Sequence, residues 1–195
     1  MSAHPAPSTI RRIRSALLDW YAADHRDFPW RATRDPYAVL VSEVMLQQTQ
    51  SSRIAERFPR FMARFPTVES LASAATDAVI AEWSGLGYNR RALALQRTVA
   101  VVARDGWPRD VAGLVRLPGI GPYTARAVAS LAFDVAAGVV DTNVRRWLLR
   151  RFGGMDRAAS PAGIVRCPGR TRAGARDRGL DARHDGVRRR DLPVA

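Results

Sequence analysis

Two carboxylates and one glycine-rich turn are the residues of this sequence best suited to chemistry. Leu117-Pro118-Gly119-Ile120-Gly121-Pro122-Tyr123 has the composition of a tight turn, and Asp141 follows Tyr123 by 18 positions within Val140-Asp141-Thr142-Asn143. Pro118 cannot continue a preceding helix, and Gly119 and Gly121 permit backbone angles closed to other residues. Pro122 suits the first turn of the next helix, where its missing N–H costs nothing. Helical patterns at 109–116 and 124–133 flank the turn, so the stretch predicts a helix–hairpin–helix. Its backbone N–H groups and the positive end of its second helix then face one way, a geometry that binds phosphate. Asp141 returns a carboxylate near the start of a further helix. The second acid, Glu43, sits among Val41, Val44 and Met45. A helical Glu is by default on the solvent face. The functional alternative is an acid in apolar surroundings, which favour its protonated form.

The elements that must position these groups are helical. Ser8-Thr9 starts a helix whose Ile10, Ile13, Leu17 and Trp20-Tyr21 share one face, a stripe that needs a covering partner. Asp27-Phe28-Pro29-Trp30-Arg31 reads as a loop. Asp35-Pro36 supplies a cap and a first-turn proline for a helix from 37 to about 48, which carries Glu43 and Gln47. Further helices are expected over 51–64, stopped by Pro66, over 67–75, and over 76–83 with Thr76-Asp77 as a possible cap. Ser84-Gly85-Leu86-Gly87-Tyr88 is a turn expected to present Leu86 and Tyr88 outward as wedges for a base stack, the alternative being that both pack into the core. As a nucleotide loop its Gly-x-Gly is a weak signal, since no strand precedes it. Arg90-Arg91 open a helix to about 104. No strand pattern and no repeat is visible, so the class is all-α with roughly eight to ten helices.

Composition narrows the partner. The 47% apolar content is that of a chain that buries a core. The formal net charge of +13 points to a polyanion, with nucleic acid the leading case. All 31 basic residues are arginine, which reflects GC-rich coding and leaves the net charge to be explained. One cysteine, Cys167, allows no intrachain disulfide and no multi-cysteine metal site. The first 14 residues lack the apolar run of a signal peptide, and no stretch approaches a membrane span. These features predict a cytoplasmic, nucleoid-associated monomer.

Beyond about Gly154 the character changes. From Asp156 to Ala195 there are 10 Arg and 5 Asp, no aromatic residue and no sustained apolar period. That reads as a disordered basic tail, 155–195, behind a core spanning 8–154.

The hairpin and its downstream Asp resemble the helix–hairpin–helix DNA glycosylase superfamily. Phe28-Pro29-Trp30-Arg31, the stretch from Val41 through Glu43 to Gln50, and Trp83-Ser84-Gly85-Leu86-Gly87-Tyr88 narrow the resemblance to the MutY-type adenine DNA glycosylases, over about residues 10–154. The resemblance implies monofunctional hydrolysis of the glycosidic bond of adenine mispaired with 8-oxoguanine or guanine in double-stranded DNA. By motif, Glu43 matches the acid that protonates adenine N7, and Asp141 matches the carboxylate that stabilises the sugar cation. Tyr123 and Asn143 match residues that support these carboxylates. Gln48, Thr49, Leu86 and Tyr88 match residues at the oxidised guanine, Arg26 and Trp30 match the adenine pocket, and Gly119 and Gly121 match the phosphate grip. Strand-cutting relatives carry a lysine where this chain has Tyr123, and the chain contains no lysine. Thymine-mismatch glycosylases share the tyrosine, whereas Gln47-Gln48-Thr49 favours adenine.

The resemblance also implies four cysteines that hold a four-iron four-sulfur cluster, together with a further C-terminal domain. Only Cys167 is present, so no cofactor and no metal is expected in this chain. The Arg-Gly-Asp-rich tail resembles an out-of-frame reading of GC-rich DNA, which suggests a truncated or frameshifted product with impaired activity. A reading from a different class is a non-catalytic helix–hairpin–helix module that binds DNA without turnover.

Overall fold

The structure is a computed structural model that describes residues 6–151. Among the described residues there are nine α-helices, one 3-10 turn and no strand, in agreement with the all-α class. The helices are α1 (Pro7–Asp24), α2 (Pro36–Leu46), α3 (Ser51–Arg64), α4 (Val68–Ala72), α5 (Thr76–Trp83), α6 (Arg90–Asp105), α7 (Val111–Val115), α8 (Pro122–Phe133) and α9 (Thr142–Arg151), with the 3-10 turn at Pro29–Arg31. The chain divides into two compact units. One is Asp27–Ala137, and the other joins Met1–Arg26 to Gly138–Ala195. The expected basic tail and Cys167 lie outside the described residues.

In the Asp27–Ala137 unit, α2 is the central element. Both Asp35 carboxylate oxygens cap it, accepting from the Tyr37 and Ala38 amides at 3.2 Å, and Pro36 fills the first turn. Every residue from Tyr37 to Met45 is buried. A helix apolar on all sides must sit inside the core. It packs against α8 and α3, while α6 packs against α4 and α5. The Tyr37 hydroxyl donates to the Phe65 carbonyl at 2.7 Å, and burial, then the charge of Asp35, raises its pKa above the ordinary value. Phe61 fixes the α3–α5 junction through edge contacts with Phe65 (5.1 Å) and Trp83 (5.7 Å).

Local chemistry decides where the helices begin and end. Thr67 and Ser70 form a reciprocal capping box that starts α4, which ends at Ala72, short of the expected 75. Thr76 does not cap α5. The cap position is Ala75, with no side-chain bond, and Asp77 instead sits in the first turn. Likewise Ala6 precedes α1, and Ser8 and Thr9 lie inside it. The α2 helix stops at Leu46, before the expected 48, because the backbone turns extended at Gln47.

The second unit contributes α1 and α9. Neither has a buried residue. The α1 stripe of Ile10, Ile13, Leu17, Trp20 and Tyr21 is half-buried along its length.

Candidate nucleic-acid interface and active site

The end of α2 and the turn at 84–88 enclose a cleft of about 610 Å³ whose lining includes Gln48, Thr49, Leu86, Tyr88, Arg53 and Asn89. It thus brings together the four residues expected at the oxidised guanine. Their backbone is unusual on both sides. Gln48 (φ 59°) and Tyr88 (φ 50°) are left-handed, a conformation uncommon outside glycine that collects at functional sites. Tyr88 projects outward, 55% exposed, with the Arg90 guanidinium 5.8 Å from its ring centre. Leu86 corrects the sequence expectation. It is 4% exposed and packs into the core, so of the two turn residues only Tyr88 is presented outward. The Leu86 carbonyl faces the cleft partners instead, accepting from the Thr49 hydroxyl at 3.3 Å.

One buried cation ties this cleft together, and the sequence reading missed it. Arg91, on the first turn of α6, donates from Nη1 to the carbonyls of Val44 (3.0 Å), Met45 (3.1 Å) and Gln47. Its Nη2 reaches Thr49 Oγ1 (3.2 Å) and the carbonyls of Leu86 (3.0 Å) and Gly87 (3.1 Å). The guanidinium carbon also lies 5.7 Å from the Trp83 ring and 5.5 Å from the Tyr88 ring. The terminal carbonyls of α2 would otherwise be left without intrahelical partners. Burial pushes the Arg91 pKa below its ordinary value. A signal was available in the pattern. The buried face of α6 runs Arg91, Leu95, Thr98, Val99 and Val102, so Arg91 occupies an apolar slot of the helical period.

The helix–hairpin–helix is formed by α7 and α8. Asp110 caps α7 through the Gly113 amide at 2.6 Å, and the Ile120 amide closes the turn onto Leu117 at 3.2 Å. Gly119 is left-handed (φ 77°), and a Cβ there would stand 2.7 Å from the Ala94 Cβ on α6. Gly121 differs from expectation. Its φ of −84° is open to any residue, and a Cβ there would meet nothing within 4 Å. The Thr98 hydroxyl pins the hairpin to α6, reaching the Pro118 carbonyl as well as the Ala94 carbonyl of its own helix. Beside Gly119, a smaller cleft of about 270 Å³ is lined in part by Arg90, Arg91 and Arg97. A positive potential thus adjoins the hairpin.

Glu43 is buried, 9% exposed, which overturns the solvent-face default. No side of α2 faces water, and amphipathic spacing therefore held no information about it. Tyr123 is half-buried on the first turn of α8. The α2 and α8 helices are in contact, and the Gln47 side-chain amide approaches the Thr124 hydroxyl at 3.4 Å. Trp30 is buried, stacked on Phe28 at 4.6 Å and edge-on to Phe58 at 5.9 Å, which makes it a core residue of this unit. Asp141, Asn143 and Arg26 belong to the other unit. There Asp141 starts α9, accepting from the Val144 amide at 2.6 Å and from the Asn143 side-chain amide at 3.3 Å. Asn143 accepts in turn from Arg146. Arg26 is exposed.

Comparison with known proteins places this arrangement. Residues 41–164, more than half of the chain, match the family described as the HhH-GPD superfamily base excision DNA repair protein, and the match runs past Gly154. The adenine DNA glycosylase of Mycobacterium tuberculosis is 46% identical over 165 residues, which cover 81% of this chain and 54% of that protein. The adenine DNA glycosylase of Mus musculus is 44% identical, over 72% of this chain and 30% of its own length. The chain thus spans about half the length, or less, of these curated relatives. Among solved structures, a thermostable thymine-DNA glycosylase superposes with a TM-score of 0.65 at 31% identity, covering 71% of this chain and 68% of that one. An endonuclease III–DNA complex shares the fold at 24% identity, with a TM-score of 0.64 over 74% of this chain and 68% of that one. On this profile match the chain belongs to the HhH-GPD superfamily of base excision DNA repair proteins.

Proposed function

We propose that this chain binds duplex DNA and removes adenine mispaired with 8-oxoguanine or guanine, hydrolysing the N-glycosidic bond without cutting the strand. The observation that carries the reading is Glu43, a buried acid on a helix whose C-terminal end builds a polar cleft. The relatives named adenine DNA glycosylase support the choice of base.

The chemistry follows from the leaving group. Adenine departs poorly from deoxyribose as an anion. A proton delivered to the base by Glu43 lets it leave neutral, which is general acid catalysis. The sugar is then left electron-deficient, the Asp141 carboxylate would stabilise that developing charge, and a water adds at C1′ and gives up a proton to complete the hydrolysis. Sugar hydrolases divide the labour between two carboxyl groups in the same way. Asn143, whose amide donates to Asp141, orients that carboxylate. Tyr123 takes a supporting role in this acid chemistry and Arg26 is a candidate for adenine binding, whereas Trp30 is taken up by the core of its own unit. A base inside a duplex is out of reach, so adenine must be flipped out, with Tyr88 beside the vacated partner. The hairpin at Gly119–Gly121 holds phosphate, and Arg90 and Arg97 beside it add a sequence-independent grip. A strand cut through a lysine Schiff base is closed to a chain without lysine. This sequence has one cysteine, against the four thiolates that the family resemblance implies for an iron–sulfur cluster.

The similarity to a thymine-DNA glycosylase gives a second reading, excision of thymine from a mismatch. Single-turnover assays on duplexes carrying adenine opposite 8-oxoguanine, adenine opposite guanine, and thymine opposite guanine separate the two. Adenine release that disappears in Glu43→Gln, while DNA binding survives, supports the proposal. Thymine release alone supports the second reading. Binding without release from any of the three duplexes leaves a non-catalytic DNA-binding module.

A further inference from the structure

The cleft has two left-handed residues outside glycine, Gln48 and Tyr88, and one guanidinium meets the chain on either side of the first and immediately before the second. Arg91 takes the carbonyl before Gln48 and the hydroxyl after it, on Gln47 and Thr49. It also takes the Gly87 carbonyl immediately before Tyr88 and lies against the Tyr88 ring. Backbone held in a sparsely populated region persists only when its surroundings over-determine it. Here the over-determining group is shared, so the two strained residues are coupled through one side chain. The arrangement needs a planar fork. A guanidinium offers five N–H donors in fixed directions, whereas an ammonium on the same charge offers three that cannot span both strands of the cleft. The Nε–H of Arg91 is buried without a hydrogen-bond partner among the described residues.

We infer that Arg91 is a positioning residue that locks Gln48 and Tyr88 in register across the cleft, and thereby sets which base opposite the excised adenine is accepted. Its first half concerns the fold alone. Its second half rests on the reading of the cleft given under the proposed function.

Hydrogen–deuterium exchange on the full chain tests the first half without any need for activity. In Arg91→Lys, segments 46–50 and 84–89 should exchange about tenfold faster together, with α4 unchanged. Opening of one segment alone, or of neither, overturns the lock. Should Arg91→Lys fail to fold, Thr49→Val removes one hydroxyl that the guanidinium holds and that itself reaches the Leu86 carbonyl. It should loosen both segments by a smaller factor, and loosening of 46–50 alone overturns the coupling. The second half is read from binding. The preference for a duplex with adenine opposite 8-oxoguanine over one with adenine opposite cytosine should fall about tenfold in Arg91→Lys, and by more than the single-turnover rate on bound duplex falls. An unchanged preference, or a rate that falls as far as the preference, overturns the specificity role. A wild-type chain that shows no preference counts against the reading of the cleft, and the exchange result still decides the lock.

Discussion

The two proposed catalytic carboxylates are held by opposite means. Glu43 lies on a helix with no solvent face, and its position is fixed by the packing of α2 against α3 and α8. Asp141 opens a helix that has no buried residue, and local bonds from the Val144 amide and the Asn143 side chain fix it. An acid placed by packing depends on contacts far apart in sequence. An acid placed by a cap depends on its next three residues. The same chemistry thus rests on a tertiary device at one position and on a local one at the other.

Isosteric amides separate charge from placement at both sites. Glu43→Gln should lower adenine release by about 10²–10⁴-fold, the range expected for loss of a general acid. Asp141→Asn should lower it by about 10²–10³-fold, as for other losses of transition-state electrostatics. The fold at 141 should survive, because Asn caps helices as well as Asp does. Single-turnover rates beside circular dichroism check both. Helix loss around α9 in Asp141→Asn would break the comparison.

Packing provides the next contrast. Leu40→Ala on α2 removes a fully buried side chain and should cost about 2–5 kcal/mol. Leu148→Ala on α9 touches a half-buried one and should cost less than about 1 kcal/mol. Urea unfolding midpoints measure both. Equal costs would mean that α9 is held as firmly as α2.

The hairpin glycines extend the same distinction to a smaller scale. Gly119→Ala forces a Cβ against Ala94 at a left-handed position and should cost about 1–3 kcal/mol. Gly121→Ala meets open space at an ordinary φ, and its cost is only that of alanine at the N-cap of α8, less than about 1 kcal/mol. Thermal melts of the two variants check the difference in size.

What was legible in the sequence divides along the same line. Features written into neighbouring residues were readable, including the Asp35-Pro36 start of α2, the Gly119 turn, and the start of α9 at Asp141. The cleft was readable as residues, since Gln48, Thr49, Leu86 and Tyr88 meet there. Features set by distant contacts were not. Leu86 looks like a wedge in a glycine-rich turn, yet its side chain goes to the core. Glu43 looks like a solvent-face acid by default, yet the neighbours that bury it come from other helices. Arg91 reads as a basic helix start, and only its place in the period of α6 marks it as internal. Gly121 shares its composition argument with Gly119, and backbone geometry alone tells the two apart.

The most direct measurement follows the product. Purified chain incubated in excess with a duplex bearing adenine opposite 8-oxoguanine should release free adenine and leave an abasic strand that breaks only when alkali is added. Strand scission without alkali, or no free adenine at saturating protein under conditions where the duplex is bound, would contradict the account.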